Sequence, residues 1–224
     1  MQLINLKFSQ LVQNFTHIGH NYSTSERLSS WYVFGVRFNL LLISPFKIVF
    51  FWKKAIYALL EIYSEFGSVL LINLDKSLNF IYTPLSKLTH QPIVFNRWRA
   101  GLLTNWKLAF LRKLPILKKP ISPIRPSKHF IANLNSTARL PSAIFLLNSA
   151  SASFPISEAY SLNIPIFSIV DTDLNSSGIT FPIPGNDDSI SANFFYTIII
   201  SKVFLFARLD AIAKFSKIKE VENL

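Results

Sequence analysis

Apolar positions along the chain follow two patterns. Short uninterrupted apolar runs recur at Ser68–Asn73 (SVLLIN), Ile93–Asn96, Ser142–Leu147, Ile164–Val170 (IPIFSIV) and Phe181–Ile183. Runs of that length without polar alternation predict parallel strands buried on both faces. Between them lie segments with helical spacing. These are 46–65, opened by Ser44-Pro45 and closed by Gly67; Lys76–Leu88, which Pro84 is expected to interrupt; Ile156–Leu162; and a long Asp187–Ala207. The order strand, helix, strand, insert, strand, helix, strand, strand, helix implies parallel pairing through crossovers, hence an α/β layered domain. Ahead of it, residues 5–15 read as a short amphipathic helix, and Tyr32–Phe34 and Phe38–Ile43 flank Gly35 as a hairpin or bent strand.

Composition first raises the question of a membrane. Half of the 224 residues are hydrophobic and the mean hydropathy is +0.33. Trp31–Trp52 is interrupted by Arg37, Pro45 and Lys47, while Phe194–Ala207 reads as too short to span and carries Lys202. A spanning helix needs ~20 mostly uncharged residues, so buried strands, and no membrane insertion, are the expectation. The net charge of +11 points to a polyanionic partner, either nucleic acid or an anionic membrane surface. Its distribution sharpens the point, because no Asp or Glu occurs from Lys76 to Ser157, a span holding cations from Lys76 to Arg139. The chain has no cysteine, which excludes disulfides, thiolate metal sites and cysteine nucleophiles. The N-terminal MQLINLKFSQLVQNF carries neither a transit-peptide nor a secretory pattern. Heavy use of Phe, Ile, Asn and Lys with only 6 glycines matches the output of an AT-rich, organelle-like genome.

Four motifs bear on chemistry. His17-Ile18-Gly19-His20 matches the HIGH tetrad of class I aminoacyl-tRNA synthetases, but it follows an apparent helix rather than a buried strand. Asp171 and Asp173 follow a strand end, where open α/β sheets place ligands, and with Asp187 and Asp188 they could hold Mg²⁺. The simpler reading is a strand-ending turn, with Asn186 or Asp187 capping the last helix and Asp188 in its first turn. Neither a Gly-rich phosphate loop nor a G-x-S-x-G elbow occurs, which leaves catalysis unsupported. In Asn96–Lys107, cations alternate with Trp98, Trp106 and amide side chains. Arginine forks grip phosphates and tryptophans stack or pack.

Together RWRAGLLTNWK (97–107), IPIFSIVDTD (164–173) and FPIPGNDDSI (181–190) resemble, in order and spacing, the signatures of the bacterial and organellar ribosomal protein S2 family. Gly19-His20, Phe34-Gly35, Arg37 and Glu158-Ala159 before Ile164-Pro165 extend the resemblance over about residues 8–208. It implies a flavodoxin-like parallel sheet flanked by helices, a place in the small ribosomal subunit, contacts with small-subunit rRNA and neighbouring ribosomal proteins, and no catalysis or cofactor. The chain departs from the family pattern at Asn21–Ser30, which is Ser/Thr-rich; at Trp98-Arg99-Ala100-Gly101, where a cation replaces an apolar residue; and at Ser191 in place of an arginine. The family's coiled-coil hairpin looks shortened to a basic, Pro-rich arm. These departures and the composition point to a mitochondrial ribosome and an organelle-encoded gene.

The expectation is therefore a single S2-type domain. It comprises an N-terminal helix and hairpin (1–45), an α/β core (46–96 and 141–208), a basic insert (97–140, in part helical over Leu102–Leu114) and a charged tail (209–224). RNA contacts are expected at His20, Arg37, Arg97, Arg99, Asn105, Lys107, Arg112, Lys113, Lys118, Lys119, Arg125, Lys128 and Arg139. The alternatives are a nucleotide- or metal-dependent enzyme on the same fold, and a peripheral membrane protein using the basic face.

Overall fold

The computed structural model describes residues 6–107, 131–132, 139–148 and 152–222. A short helix α1 (Phe8–Gln13) leads into β1 (Ile18–Asn21), and β2 (Val33–Arg37) and β3 (Leu40–Ile43) form a hairpin. The three strands make an antiparallel sheet in the order β1-β3-β2. Phe38 and Asn39 at the hairpin tip have φ of 49° and 63°, the two left-handed residues of a turn whose twist matches its strands. The expected strands on either side of Gly35 are shifted: β2 runs through Gly35 to Arg37, and the reversal lies at Phe38-Asn39, inside the expected second strand. That Ile18–Asn21 form a strand is not expected from the sequence, since β1 is specified by pairing with β3 (Ile18 opposite Leu42) rather than by local pattern.

The apolar runs form the main sheet. After helix α2 (Pro45–Ser64) come β4 (Val69–Asn73), helix α3 (Asn79–Thr89), β5 (Ile93–Phe95), β6 (Ile131–Ala132), β7 (Ala143–Leu146), helix α4 (Ser153–Ser161), β8 (Ile166–Val170), β9 (Phe181–Pro184) and helix α5 (Ile190–Glu222). The strand order is β6-β5-β4-β7-β8-β9. All neighbours are parallel except β6, which lies antiparallel on the β5 edge. The five parallel strands thus have the 2-1-3-4-5 order of the flavodoxin-like fold. At the opposite edge, β9 pairs with β8 in the register Ser168–Pro182 and Val170–Pro184, and the Gly185 N–H continues the ladder to the Val170 carbonyl at 3.1 Å.

Both faces of the sheet are covered, which is why its strands read as continuous apolar runs. Val69, Leu71, Phe145, Phe167 and Ile169 face one core, shared with Ile48, Trp52, Ala55 and Leu59 of α2, with α3 and with α5. Leu70, Ile72, Ile144, Leu146 and Val170 face a second core, closed by α4 and by Leu102, Leu103 and Trp106. Phe145, Phe167 and Phe181 stack across three strands at 6.2 and 4.5 Å, and Trp52 lies 6.3 Å from Phe145.

Two expectations are corrected here. Pro84 does not interrupt α3, which runs through it. Pro84 and Phe80, the residue whose carbonyl loses its helical partner, both lie on the exposed side of the helix, while buried Ile81, Tyr82, Leu85 and Thr89 hold the helix by packing. The last helix starts at Ile190 and outruns Ala207. Its Ile190–Ala213 portion is long and apolar enough, by length and composition, to cross a membrane. The apolar run Phe194–Ala207 is shorter than this portion, because the helix also takes in Ile190–Asn193 and continues through Arg208. One side of α5 (Tyr196, Ile200, Val203 and Phe204) is buried in the first core.

Candidate nucleic-acid interface

The Asn96–Lys107 motif is a compact turn at the carboxyl end of β5. Asn96 enters it with φ 69°, held by an amide ladder in which Asn73 donates to Asn79 at 3.0 Å and Asn79 donates to Asn96 at 2.6 Å. One carboxylate then organises the rest. Glu158 Oε1 accepts from the Trp98 indole N–H at 2.9 Å and the Gly101 N–H at 2.7 Å, and Oε2 accepts from the Leu103 N–H at 3.0 Å. Gly101 has φ 81°, and a Cβ there would meet the Asn105 amide at 2.9 Å, so the turn requires glycine. Leu102, Leu103 and Trp106 point inward and are buried, whereas Arg97, Arg99, Asn105 and Lys107 are exposed. A turn pinned from beneath therefore presents three cations and an amide outward. Both tryptophans are anchors: Trp106 is buried and Trp98 packs half-buried against the same core.

The 181–190 stretch does more than end a strand. Asn186 Oδ1 accepts from the N–H groups of Asp188 and Ser189, both at 3.0 Å, in the turn that starts α5. Asp187 is not a cap; it is 2% exposed and its N–H faces Asp171 Oδ2 at 3.4 Å. The N-terminal sheet docks at the same place. The His20 N–H donates to Thr172 Oγ1 at 2.9 Å, Tyr32 donates to the Asp171 carbonyl at 2.9 Å, and Asn186 donates its backbone N–H to the Thr16 carbonyl at 3.2 Å. Gly19 permits that approach, because a Cβ would lie 2.7 Å from the Thr172 side chain. Around this junction His20 Nδ1 lies 3.3 Å from Asp171 Oδ1 and 3.7 Å from Asp173 Oδ1, and Nε2 lies 3.1 Å from Asp188 Oδ2. His20, Asp171 and Asp173 are the group that could hold a metal ion among the described residues.

The expected contact residues are thus divided. Arg97, Arg99, Asn105 and Lys107 share one turn; Arg37 sits at the hairpin tip with its guanidinium 5.4 Å from the ring of Phe38; Arg139 is exposed ahead of β7. His20 belongs to the acidic junction, with its side chain 28% exposed. Arg112, Lys113, Lys118, Lys119, Arg125 and Lys128 lie outside the described residues, as does the expected helix beyond Lys107. The sequence reading missed the Glu158 clamp, although a signal was there: Glu158 is the only carboxylate between Asp75 and Asp171.

Charge in the junction is compressed. The Asp171 contact raises His20 to about 9 against the burial that opposes it, with Asp173 and Asp188 adding to the rise. Burial, then Asp171, Asp188 and Asp173, push Asp187 up to about 7, with His20 opposing. Both groups hold protons more tightly folded than unfolded. Asp187 favours the fold fully below its unfolded value of 3.8 and loses this as pH rises to about 7. The contribution of His20 is complete below 6.5 and is lost as pH passes about 9. In chelator-containing buffer the melting temperature is expected to fall by several degrees from roughly pH 5 to pH 9. Asp187→Asn should remove the acidic half of that slope, and a midpoint that climbs with pH over the same range contradicts the reading.

The family model described as ribosomal protein S2 matches residues 11–205. A small ribosomal subunit protein uS2 of Ehrlichia ruminantium (strain Gardel) is 30% identical over 91% of this chain and 78% of its own length. Proteins of the same description from Ehrlichia chaffeensis and Paramagnetospirillum magneticum are 29% and 28% identical, covering 95% and 92% of this chain and 81% and 84% of their own lengths.

Proposed function

The chain belongs to the ribosomal protein S2 family of the small ribosomal subunit, and from that premise we propose that it is a structural component that binds small-subunit rRNA and neighbouring ribosomal proteins, with no catalytic role. The observation that carries the RNA-binding part is the 97–107 turn. A buried scaffold fixes its backbone and leaves Arg97, Arg99 and Lys107 facing outward. Preset cations lose little freedom on meeting a phosphate backbone, and each displaces condensed counterions. Arg37 and Phe38 at the hairpin tip offer a second cation beside a ring that is 86% exposed, suited to a phosphate and an unstacked base.

The test is a fluorescence anisotropy titration of the full chain against a small-subunit rRNA transcript across a salt series. Affinity is expected to drop by roughly 10³ between about 50 and 200 mM salt. The triple substitution Arg97→Ala, Arg99→Ala, Lys107→Ala is expected to flatten the log–log slope by about 2–3 while leaving the melting temperature unchanged. A salt-independent affinity sinks the proposal, and turnover of Mg-ATP by the same preparation favours the enzyme alternative.

Membrane insertion is not part of this reading. In the long helix α5, Asn193 donates to the Asp187 and Ser189 carbonyls, and Tyr196, Ile200 and Phe204 are core residues, which a lipid-spanning role would have to undo. We further place the protein in a mitochondrial ribosome, on the strength of its residue usage and its departures from the bacterial pattern. Co-sedimentation with mitochondrial small subunits after a salt wash, rather than with membranes or bacterial-type particles, tests that placement.

A further inference from the structure

We propose that the outer side of helix α5 docks an amphipathic helix of another protein, one that is apolar along its inner side and carries carboxylates along the borders of that side. The proposal goes beyond the RNA-binding reading and uses none of its residues. Helix α5 lies against both α2 and α3, and its inner side is spent on the first core. The outer side of such a helix is normally polar. Here Ile190, Phe194, Ile198, Leu205, Leu209 and Ile212 face outward, each between 38% and 65% exposed. They recur at steps of three, four or seven residues, so they share one side of the helix over a length of about 33 Å. Among the described residues no segment covers them. A continuous exposed apolar stripe of this size marks an interaction surface.

Charge and shape select the occupant. Lys202 and Arg208 are exposed beside the stripe, and α5 carries no carboxylate before Asp210. Neither cation has an ion-pair partner among the described residues. The flanking helices continue the bias. Helix α3 bears Lys87 and no acid, and α2 bears Lys47, Lys53 and Lys54 before its first acid, Glu61. A partner with Asp or Glu bordering its apolar side complements this surface. At its carboxyl end the stripe runs into a recess of about 510 Å³, to which Arg208 and Ile212 both belong. Tyr63, Phe66, His90 and Pro92 form its other walls. An apolar recess with an arginine on its wall seats an anchoring side chain next to a carboxylate, the arrangement by which helices dock in grooves. The flat surface of a bilayer would leave that recess unfilled. A stripe built mainly of Ile and Leu gives RNA little to stack on and no donor. A protein helix satisfies the stripe, the border charge and the recess together.

The first test titrates the full chain, by fluorescence anisotropy, with a stapled helical peptide that has leucines along one side and glutamates along its borders. The control peptide has lysines at the same borders. The glutamate peptide is expected to bind roughly tenfold tighter than the lysine peptide. Leu205→Gln with Leu209→Gln leaves the charge unchanged and touches only the outer side. It should weaken the glutamate peptide roughly tenfold without moving the melting temperature, and Arg208→Gln should narrow the preference for glutamate over lysine. The second test replaces Ile198 or Leu205 by a photo-cross-linking phenylalanine analogue in the assembled small subunit. The joined peptide is expected to belong to another protein and to read as an acid-bordered amphipathic helix. Equal binding of the two peptides, or binding untouched by the double substitution, overturns the proposal. So does a cross-link to rRNA, to lipid, to a second copy of this chain or to its own residues 108–130. Because the peptide titration needs no ribosome, its outcome is separate from that of the RNA titration.

Discussion

Glu158→Ala should weaken binding to small-subunit rRNA by about tenfold, although it removes a negative charge from the cationic face. Simple electrostatics gives the opposite sign, since deleting an anion near a phosphate-binding surface should tighten binding. The geometry decides otherwise. Both carboxylate oxygens are spent on the Trp98 indole and on the Gly101 and Leu103 N–H groups. Hydrogen bonds to a charged acceptor are worth about 1.5–3 kcal/mol each, and amides stripped of a partner add a penalty. The loss in stability should be about 2–4 kcal/mol, concentrated in the turn. A turn free to sample other conformations must be ordered again when RNA arrives, at a cost near 1.4 kcal/mol for each tenfold in affinity. Glu158→Gln keeps an acceptor and should fall between alanine and wild type. Hydrogen exchange at Gly101 and Leu103, measured beside anisotropy at fixed salt, separates the effects. Unchanged or tighter RNA binding by Glu158→Ala would show that the turn needs no clamp.

Trp52→Ala should be the most damaging single change to the fold, at about 3–5 kcal/mol. Trp52 is 0% exposed, projects from α2 and touches rings on two other elements, Phe145 at 6.3 Å and Tyr196 at 5.8 Å. Its removal leaves a cavity where α2, the sheet and α5 meet, and the melting temperature should drop by roughly 6–20 °C. Trp52→Phe should cost much less than its lost volume implies. The indole N–H has no hydrogen-bond partner, so phenylalanine deletes a buried donor along with the missing ring. Equilibrium unfolding in urea with all three proteins checks the order, and near-equal destabilisation by Phe and Ala refutes the account of the unpaired donor.

How much of this was legible depends on where the information lies. The parallel strands were readable because burial on both faces leaves a continuous apolar run, and β4, β7 and β8 are such runs. Strand β1 was not, since Ile18–Asn21 is a mixed segment whose conformation comes from a partner strand some twenty residues on. Pro84 misled because propensity counts a lost hydrogen bond without knowing that water can replace it. The four aspartates were singled out from sequence, but only folding brings His20 beside Asp171, and one strand residue then changes an apparent helix cap into a charged junction. Glu158 was visible as an isolated acid in a basic stretch; its three donors lie more than fifty residues away in sequence.

Consider last the two prolines of β9. Gly185 sends its N–H to Val170, so in this strand the odd-numbered amides face β8 and positions 182 and 184 face away from it. Both are proline, and that side of the sheet therefore has no N–H to offer. A newly made molecule awaiting incorporation carries exposed aromatic side chains and an open sheet border, conditions under which β proteins recruit stray strands from one another. A border without donors cannot template such growth. The same residues that pass for an ordinary chain reversal thus guard the free protein against polymerising before it reaches its particle.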